Sequence, residues 1–424
     1  MIFLYQLLMT ILLLLVYPVA LIMALFGKRS LLARLRAPKI TASGDGLVWI
    51  HAASMGEAGI AYSLASEIKS RHPKRKIAVS IVTSTGLDRI NSLNKNADSP
   101  VIDFAFSAPF DHPLIVESFV RAMSPGLFIL VETELWPSLI LALGKSSVPI
   151  AIINGKLGKK SFKRYYMLKR SFQPLADKIS LLCAQTRIFS SRFRRVGVRP
   201  SRIEVIGNVK FDGLPDSDAY KREEVRAELG LSPHEPVIVA GSTRPGEEDI
   251  LLDSFQSILD DHPSARLVIA PRHLNRLPEI ESLIKSKNVS YSKRSDGAKA
   301  MDNSTQVLIL DTMGELLRAF ASADIAFVGG SLGDYGGHNP LEPAALGIPV
   351  IFGPFMEQTG SKELLSEGAA SLVHDREELT EILKELIPAG DRHKRMADAG
   401  PRAVSRFKGT LKRTVMALEK RDLL

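Results

Sequence analysis

The chain has almost no cysteine and lacks several common catalytic signatures. Among its 424 residues, Cys183 is the single cysteine, and it lies in the apolar stretch SLLCAQ. A disulfide framework is therefore excluded, and a reducing compartment is indicated. No G-x-G-x-x-G fingerprint follows an apolar strand, and there is no Walker A lysine motif, zinc-type Cys/His cluster or serine nucleophile elbow. These absences argue against NAD enzymes and P-loop NTPases.

Acidic residues are scarce in one long segment. The net charge is +9 at pH 7, and between Lys156 and Arg202 there are fourteen Lys/Arg against one acid, Asp177. Such a block favours an anionic partner, which could be a phosphorylated lipid, a membrane surface or nucleic acid. Bulky side chains recur among these cations at near-helical spacing: Phe162, Tyr165, Tyr166, Met167 and Phe172. The pattern fits an interfacial amphipathic helix, and equally a solvated helix packed on the domain core.

The first residues of the chain are nearly all apolar. Of the 25 positions from Ile2 to Phe26, only Gln6, Thr10 and Pro18 are not apolar. About 20 such residues suffice to cross a hydrocarbon core, so we predict a membrane anchor over residues 1–27. Pro18 leaves a kinked or monotopic insertion open, and burial against protein is the alternative. The basic residues that follow at once place the rest of the chain in the cytoplasm by the positive-inside rule; they are Lys28, Arg29, Arg34 and Arg36.

Apolar runs alternate with helical patterns through the rest of the chain. Strands are predicted at 47–51, 127–131 and 149–153, each followed by polar residues. This alternation predicts an α/β fold with parallel, doubly wound sheets, which bind ligands at the carboxyl ends of their strands. The polar stretch GLPDSDAYKREE after Asp212 is the best linker. We therefore predict two Rossmann-like domains, 28–212 and 213–424. Whether the last helix returns to pack on the first domain is left open.

The stretch from Phe327 to Pro354 is rich in glycine. After an apolar strand, Gly329 and Gly330 are predicted to turn the backbone and to leave their amides free to approach a ligand. Pro340 suits the first turn of the helix that follows. A strand, a glycine loop and a helix N-terminus together form an anion site, and Glu342 in the first turn could hold ribose hydroxyls. The alternative is a tight turn that binds nothing.

Carboxylates and one lysine at predicted strand ends are the catalytic candidates. Glu57 follows a glycine in a strand-to-helix loop, where it could act as a general base, but with Ser54 it also forms the capping pattern Ser-x-x-Glu. Glu132 and Glu134 would face opposite sides if their strand continued, so one of them is expected to face the crevice. Lys210 could meet developing negative charge, or it is a surface lysine.

Transfer of a group from a nucleotide-activated donor fits this layout. The first half supplies carboxylates and the second half supplies phosphate-type loops, and neither demands a metal. His338 and Glu342, four residues apart at a helix start, are weak evidence for a metal, so we expect neither a metal nor a cofactor.

Six motifs occur in the following order: HAASMGE (51–57), ETELWP (132–137), GNVKFD (207–212), PRH (271–273), DTMGEL (311–316) and GGHNPLEP (336–343). Together they resemble the 3-deoxy-D-manno-octulosonic acid (Kdo) transferases of Gram-negative lipopolysaccharide synthesis. The resemblance runs from the N-terminal anchor to about Pro354. One motif alone would be a weak signal, whereas six in order are specific.

The resemblance implies a GT-B glycosyltransferase, in which two Rossmann-like domains face a central cleft, with an N-terminal membrane-anchor helix. It implies an inverting transfer of Kdo from CMP-Kdo to lipid IVA, a phosphorylated lipid A precursor. The reaction would take place on the cytoplasmic side of the inner membrane, in contact with anionic lipids and without a nucleic-acid partner. The number of Kdo units added is not fixed by the resemblance.

Matching motif positions imply the following roles. Glu57 resembles the proton acceptor, Glu132 and Lys210 resemble the stabilisers of the transition state, and Glu134 is the second choice for that carboxylate. The implied CMP site comprises Pro271, Arg272, Met313, Gly314, Glu315, Asn339, Pro340, Leu341 and Glu342.

Two departures and three alternatives qualify the resemblance. The family usually has an NARLS-like motif where residues 154–158 read NGKLG, and GPH where residues 353–355 read GPF. These affect acceptor contacts and donor positioning. A GT-B transferase that uses a UDP-sugar and a lipid acceptor is the main alternative. Intact Glu57, Lys210 and Glu342 argue against an inactive membrane-tethered scaffold, and a nucleic-acid binder leaves the anchor and the glycine loops unexplained.

Overall fold

The structure, a computed structural model, describes residues 2–26, 30–38, 40, 46–297, 301–302 and 304–424. Lys28 and Arg29, on which the predicted membrane orientation partly depends, lie outside the described residues. Contacts divide the chain into two compact units. The first unit comprises Met1–Asp212 and Gly409–Leu424, and the second comprises Gly213–Lys408.

The first unit contains a sheet of seven parallel strands. Its strands are β1 (Leu47–Ala52), β2 (Lys76–Ile81), β3 (Phe104–Ser107), β4 (Pro125–Val131), β5 (Ile150–Gly155), β6 (Ile179–Ala184) and β7 (Ile203–Val205). They lie in the order β3-β2-β1-β4-β5-β6-β7. The helices up to β7 are α1 (Ile2–Leu25), α2 (Ser30–Ala33), α3 (Met55–Arg71), α4 (Ser84–Lys95), α5 (Pro113–Met123), α6 (Pro137–Lys145), α7 (Lys159–Met167), α8 (Lys169–Ala176) and α9 (Arg187–Val196).

The second unit repeats this architecture. Its strands are β8 (Val237–Thr243), β9 (Arg266–Pro271), β10 (Tyr291–Lys293), β11 (Val307–Ile309), β12 (Ile325–Val328), β13 (Val350–Phe352) and β14 (Ala370–Leu372). They lie in the order β10-β11-β9-β8-β12-β13-β14 and are all parallel. The helices are α10 (Arg222–Leu229), α11 (Glu247–Leu259), α12 (Leu277–Ser286), α13 (Leu316–Ser322), α14 (Leu341–Ala345), α15 (Ser361–Ser366), α16 (Arg376–Leu386) and α17 (Asp391–Ser405).

Each sheet is covered by helices on both faces, which explains its apolar strands. All six residues of β1 are buried, and so are all six of β9. In the first unit, side chains that alternate along β1 enter different cores: Trp49 joins one and Ile50 joins the other. The Trp49 ring meets Phe128 edge-on at 5.0 Å between centroids. Because parallel strands buried on both faces read as continuous apolar runs, the prediction of an α/β fold with two doubly wound sheets is confirmed.

The last helix, α18 (Thr410–Glu419), belongs to the first unit and not to the predicted domain 213–424. Its apolar side chains Val415 and Leu418 are buried in a core of the first unit. The Asp212 carboxylate accepts hydrogen bonds from the N–H groups of Thr410 (2.9 Å) and Leu411 (2.6 Å). An apolar face and a capped N-terminus therefore hold residues 409–424 on the first unit.

The described part of the chain holds one helix that is long and apolar enough to cross a membrane, at Ile2–Met23. The predicted N-terminal anchor is thus matched by a helix of suitable length and composition.

We expect Leu418→Ala to destabilise the first unit by about 2–5 kcal/mol, because a side chain with 0% exposure would leave a cavity in its core. The matched control is Met416→Ala, since Met416 is 49% exposed on the same helix. Both tryptophans of the chain, Trp49 and Trp136, lie in the first unit. Their fluorescence during urea unfolding therefore reports this unit, and equal midpoints for the two variants would contradict the packing of α18.

Candidate active site

The carboxylate candidates gather where the strand order of the first sheet reverses. β1 and β4 are neighbours, and the chain proceeds outward from them in opposite directions. Loops that leave the carboxyl ends of two such strands diverge and create a crevice. The loop after β1 leads to Glu57, and the loop after β4 carries Glu132 and Glu134. The structure therefore brings these three predicted residues to one edge of the sheet.

Glu57 lies in the first turn of α3, and both of its carboxylate oxygens are hydrogen-bonded. Oε2 accepts from the Ala53 N–H at 2.8 Å, and Oε1 accepts from the Ser54 hydroxyl at 3.0 Å. The Ser54 Oγ accepts from the Glu57 N–H at 3.3 Å, so the predicted capping contact is present. Burial raises the pKa of Glu57, the two hydrogen bonds oppose this effect, and the charges of Glu132 and Glu134 add to it. Capping and proton acceptance are therefore compatible roles of one carboxylate.

Glu132 is held in an unfavourable backbone conformation. β4 ends at Val131, so the expectation that Glu132 and Glu134 point to opposite sides of a continuing strand does not hold. Glu132 has a φ of 60°, in the left-handed region, which costs a non-glycine residue on the order of 1–3 kcal/mol. Its Oε1 lies 3.2 Å from the Lys210 Nζ. The structure thus brings together the two residues expected to stabilise a transition state.

Asn154 links the elements that carry Glu132 and Lys210. Its side chain is buried at the end of β5. Its Nδ2 donates to the Glu132 Oε1 at 3.4 Å, and its Oδ1 accepts from the Val209 N–H at 3.1 Å. Lys210 follows directly, in a 3₁₀ helix at Val209–Gly213. The NGKLG motif, which departs from the family pattern, therefore keeps the residue that positions this ion pair.

The basic segment after Lys156 forms two helices, α7 and α8, and not the single helix predicted. Phe162 and Tyr165 pack against a core of the first unit, whereas Tyr166 and Met167 are exposed. The Arg195 guanidinium lies 4.9 Å from the centroid of the Phe162 ring. The aromatic side chains are thus divided between the core and the surface.

The glycine loop of the second unit is bonded internally. The Gly329 N–H donates to the Gly241 carbonyl at 2.9 Å, and the Gly330 N–H donates to the Glu247 Oε2 at 2.7 Å. The prediction that these two amides are free for a ligand is therefore wrong. The glycines are needed for close approach, since a Cβ at Gly329 would come within 2.6 Å of the Ser242 carbonyl oxygen.

Glu247 organises this loop, although it was not among the residues predicted from the sequence. It is 1% exposed at the start of α11, after β8. Besides the Gly330 N–H, its carboxylate accepts hydrogen bonds from the N–H groups of Ser331 (2.8 Å), Leu332 (3.0 Å) and Arg244 (2.9 Å). β8 and β12 flank the point where the second sheet reverses its order. A Gly-Glu pair after a strand, GSTRPGEE, is the sequence signal that could have revealed it.

The charges of nearby basic side chains act on His338 beside this loop. The Arg244 Nη1 donates to the His273 Nε2 at 2.7 Å, and the Arg244 guanidinium lies 5.3 Å from the centroid of the Tyr335 ring. Burial lowers the pKa of His338 to about 4, and the charges of Arg272, Arg244 and His273 contribute. His338 is therefore neutral near pH 7. This arrangement suits an anionic ligand, and Arg244 is a second residue that was not predicted from the sequence.

The other predicted nucleotide-site residues lie at the carboxyl edge of the same sheet: Pro271 ends β9, and the rest follow β9, β11 and β12. Glu342 accepts a hydrogen bond from the Asn339 Nδ2 at 3.0 Å, and burial raises its pKa. α14 begins at Leu341 and has five residues, so Pro340 precedes the helix and the helix dipole is short. Glu315 lies 3.3 Å from the Arg294 Nη2, beside the exposed Met313.

Comparison with known proteins identifies the family. A family model described as 3-deoxy-D-manno-octulosonic-acid transferase (kdotransferase) matches residues 28–213. A 3-deoxy-D-manno-octulosonic acid transferase of Haemophilus influenzae is 32% identical over 88% of this chain and 86% of its own length. The transferase of the same description from Chlamydophila psittaci is 29% identical over 83% of this chain and 79% of its own length.

Solved structures resemble the fold at low sequence identity. A glycosyltransferase from Rickettsia africae has a TM-score of 0.62 at 12% identity and covers 89% of this chain and 99% of its own. The UDP-GlcNAc 2-epimerase from Neisseria meningitidis, bound to UDP-GlcNAc, has a TM-score of 0.61 at 17% identity, with coverage of 88% and 99%. These likenesses show a GT-B type of fold. The 32% identity to the Haemophilus influenzae transferase, over most of both chains, shows that the chain belongs to the Kdo transferase family.

Proposed function

We propose that this protein transfers Kdo from CMP-Kdo to lipid IVA with inversion at the anomeric carbon, and that Glu57 is the general base. The observation that carries the proposal is the group of Glu57, Glu132, Glu134 and Lys210 at the reversal point of the first sheet. A UDP-sugar donor with a lipid acceptor is the alternative, since a pyrimidine site and a phosphate do not distinguish the two nucleotides.

Glu57 accepts the proton of the acceptor hydroxyl. At the same time, the oxygen of that hydroxyl forms a bond to the anomeric carbon of Kdo. The bond from that carbon to the phosphate oxygen breaks on the opposite face, and CMP leaves with the electron pair. A carboxylate with a raised pKa is a better base near neutral pH than an ordinary glutamate. Lys210, oriented by Glu132, stabilises negative charge that develops in the transition state.

The second unit binds the donor in this proposal. Glu342 is suited to accept hydrogen bonds from the ribose hydroxyls, and Asn339 fixes its orientation. Arg272 supplies positive charge for the phosphate, and Arg244, whose charge also acts on His338, adds to it. The donor carries a carboxylate as well as a phosphate, which explains two arginines beside one loop. Pro271, the segment from Met313 to Glu315, Pro340 and Leu341 complete the proposed CMP site.

We further propose that the protein acts at the cytoplasmic face of the inner membrane. α1 is apolar enough to anchor it, and the basic segment after Lys156 carries exposed Tyr166 and Met167 among its cations. Such side chains favour an interface with anionic lipids.

The direct test is incubation of the protein with CMP-Kdo and lipid IVA, followed by mass spectrometry of the lipid. We expect a mass increase of one or more Kdo residues with release of CMP. A parallel incubation with UDP-sugars tests the alternative donor. Lipid IVA that gains mass only in that second incubation would overturn the proposed donor.

We expect Glu57→Gln to lower kcat by about 10²–10⁴-fold, the typical contribution of a general base, with CMP binding nearly unchanged. Glutamine keeps the shape of the side chain and can still bond to Ser54. Glu117→Gln is the matched control, because Glu117 pairs with Lys145 on the surface. Steady-state rates and CMP titration check the expectation, and normal turnover by Glu57→Gln would refute the base assignment.

We expect Glu134→Gln to move the acidic limb of the kcat/KM profile to lower pH. The negative charge of Glu134 raises the pKa of Glu57, so its removal lets Glu57 lose its proton at a lower pH. Since the base acts in its deprotonated form, activity then persists at lower pH than in the unsubstituted protein. Glu117→Gln is again the control, and an acidic limb that stays in place in Glu134→Gln would contradict the coupling.

A further inference from the structure

One face of α1 is packed against the first unit, and the other face is exposed. The Tyr5 hydroxyl donates to the Asp111 Oδ2 at 2.7 Å, and the Thr10 Oγ1 lies 3.2 Å from the His112 Nε2. Leu13, one helical turn further on, packs against a core of the unit. By contrast, Leu14 is 70% exposed. Side chains 5, 9, 10 and 13 follow the spacing of one helical face, so the anchor has a docked face.

The partner of Tyr5 also holds the helix after the catalytic loop. Asp111 is buried, and its carboxylate accepts hydrogen bonds from the N–H groups of Ser138 (3.1 Å) and Leu139 (2.8 Å). These are orphan donors in the first turn of α6, which follows the loop of Glu132 and Glu134. The anchor is therefore bonded to the residue that fixes one end of that loop.

The docked position differs from that of a helix that crosses the bilayer. At 1.5 Å per residue, Tyr5 and Met23 are about 27 Å apart along α1, nearly the thickness of a hydrocarbon core. If α1 crossed the membrane, Tyr5 would lie near the face opposite to the rest of the chain. Asp111 lies in that rest of the chain, so the hydrogen bond requires α1 to lie along the membrane surface. Its exposed apolar face can then enter the bilayer.

A cavity of about 510 Å³ lies beside the docked face of α1. It is lined by Tyr5 and Met9 of α1 and, from the rest of the unit, by Phe110, Leu135, Trp136 and other residues. A second cavity of about 300 Å³ shares Leu135 and Trp136 and is lined by Glu134. Both volumes fall within about 300–1,000 Å³, the usual range of ligand pockets. The two cavities are therefore adjacent, and together they extend from the anchor to Glu134.

The charges beside these cavities indicate the kind of occupant. Arg34 and Arg164 line the first cavity, and Lys156 and Arg164 line the second. The lining of the first cavity is mainly apolar and suits a hydrocarbon chain, whereas the second is mainly polar, and the cations that line both suit a phosphate. The negative charge of Glu134 raises the pKa of Glu57, so the two carboxylates are close in space. A headgroup beside Glu134 would therefore lie near the proposed base.

We propose that α1 docks on the first unit as a monotopic helix and forms, with residues 110 and 135–136, the site for an acyl chain of the acceptor lipid. Arg164 and Lys156 then meet its phosphate. This inference rests on the proposed function, since it takes the acceptor to be a phosphorylated acylated lipid. The anchor is thus part of the substrate site as well as a tether.

The docking of α1 is tested by crosslinking in native membranes. Thr10→Cys with His112→Cys should react rapidly with a short bismaleimide, because their side chains are in contact. Leu8→Cys with His112→Cys is the matched control, since Leu8 is on the exposed face of α1. Cys183 is buried and does not compete. Equal, slow crosslinking of both pairs would show a spanning helix and overturn the docking.

The acyl-chain site is tested by filling the cavity. Met9→Trp should raise the KM for the lipid acceptor by about tenfold, which corresponds to the loss of roughly two buried methylene groups. The KM values for CMP-Kdo and for an O- and N-deacylated, phosphorylated disaccharide acceptor should not change. Leu14→Trp makes a similar change on the exposed face and should leave all three values unchanged. Equal effects of Met9→Trp on both acceptors would overturn the proposal.

Binding of the lipid acceptor without donor separates this inference from the proposed function. If Met9→Trp weakens binding of lipid IVA to the solubilised protein and Leu14→Trp does not, the site is supported even if no Kdo transfer occurs. If both variants bind as the unsubstituted protein does, the cavity is not the acyl-chain site, even if transfer occurs. Met9→Phe serves as a smaller change should Met9→Trp fail to fold.

Discussion

The reversal of strand order in each sheet is the constraint on which the candidate sites depend. In the first sheet, β1 and β4 lie side by side, and the following strands extend outward on both sides. In the second sheet, β8 and β12 have the same relation. Loops that leave such a pair must diverge, and the crevice between them has room for polar side chains and a ligand. Glu57 and Glu132 use this space in the first unit, and Arg244 and His338 use it in the second.

In each unit, a buried polar side chain links the segments beside the reversal point. In the first unit, Asn154 bonds to Glu132 and to the Val209 N–H, and so offsets the cost of the left-handed conformation at Glu132. In the second unit, the Glu247 carboxylate accepts four backbone hydrogen bonds from two loops. A buried carboxylate is stable when its hydrogen bonds are complete, so the glycine loop has a fixed shape before any ligand binds. The residues of the proposed nucleotide site that adjoin this loop are thereby pre-organised.

The sequence predicted the parts of the fold that follow from local pattern. Apolar strands, the linker after Asp212 and the carboxylates at strand ends are all readable from a single chain. It did not predict the contacts of Glu247 with Gly330 or of Tyr5 with Asp111, and it left open the packing of α18 on the first unit. The free amides expected at Gly329 and Gly330 were wrong for this reason. Local geometry indicates which groups could bind a ligand, and only tertiary contacts show which are already bonded.

The energetics of Asp111 indicate how the anchor and the lipid depend on each other. Without Tyr5, Asp111 would still accept hydrogen bonds from Ser138 and Leu139 of α6, so undocking leaves no orphan carboxylate. The Tyr5 hydrogen bond then adds about 1.5–3 kcal/mol at most, as expected for a bond to a charged group. The cavity beside Met9 also leaves part of the docked face without packed neighbours. An acyl chain in that cavity would supply the missing contacts, and the same contacts would hold α1 in place. Because coupling between two binding events is reciprocal, a lipid that stabilises the docked anchor must itself bind more tightly to it.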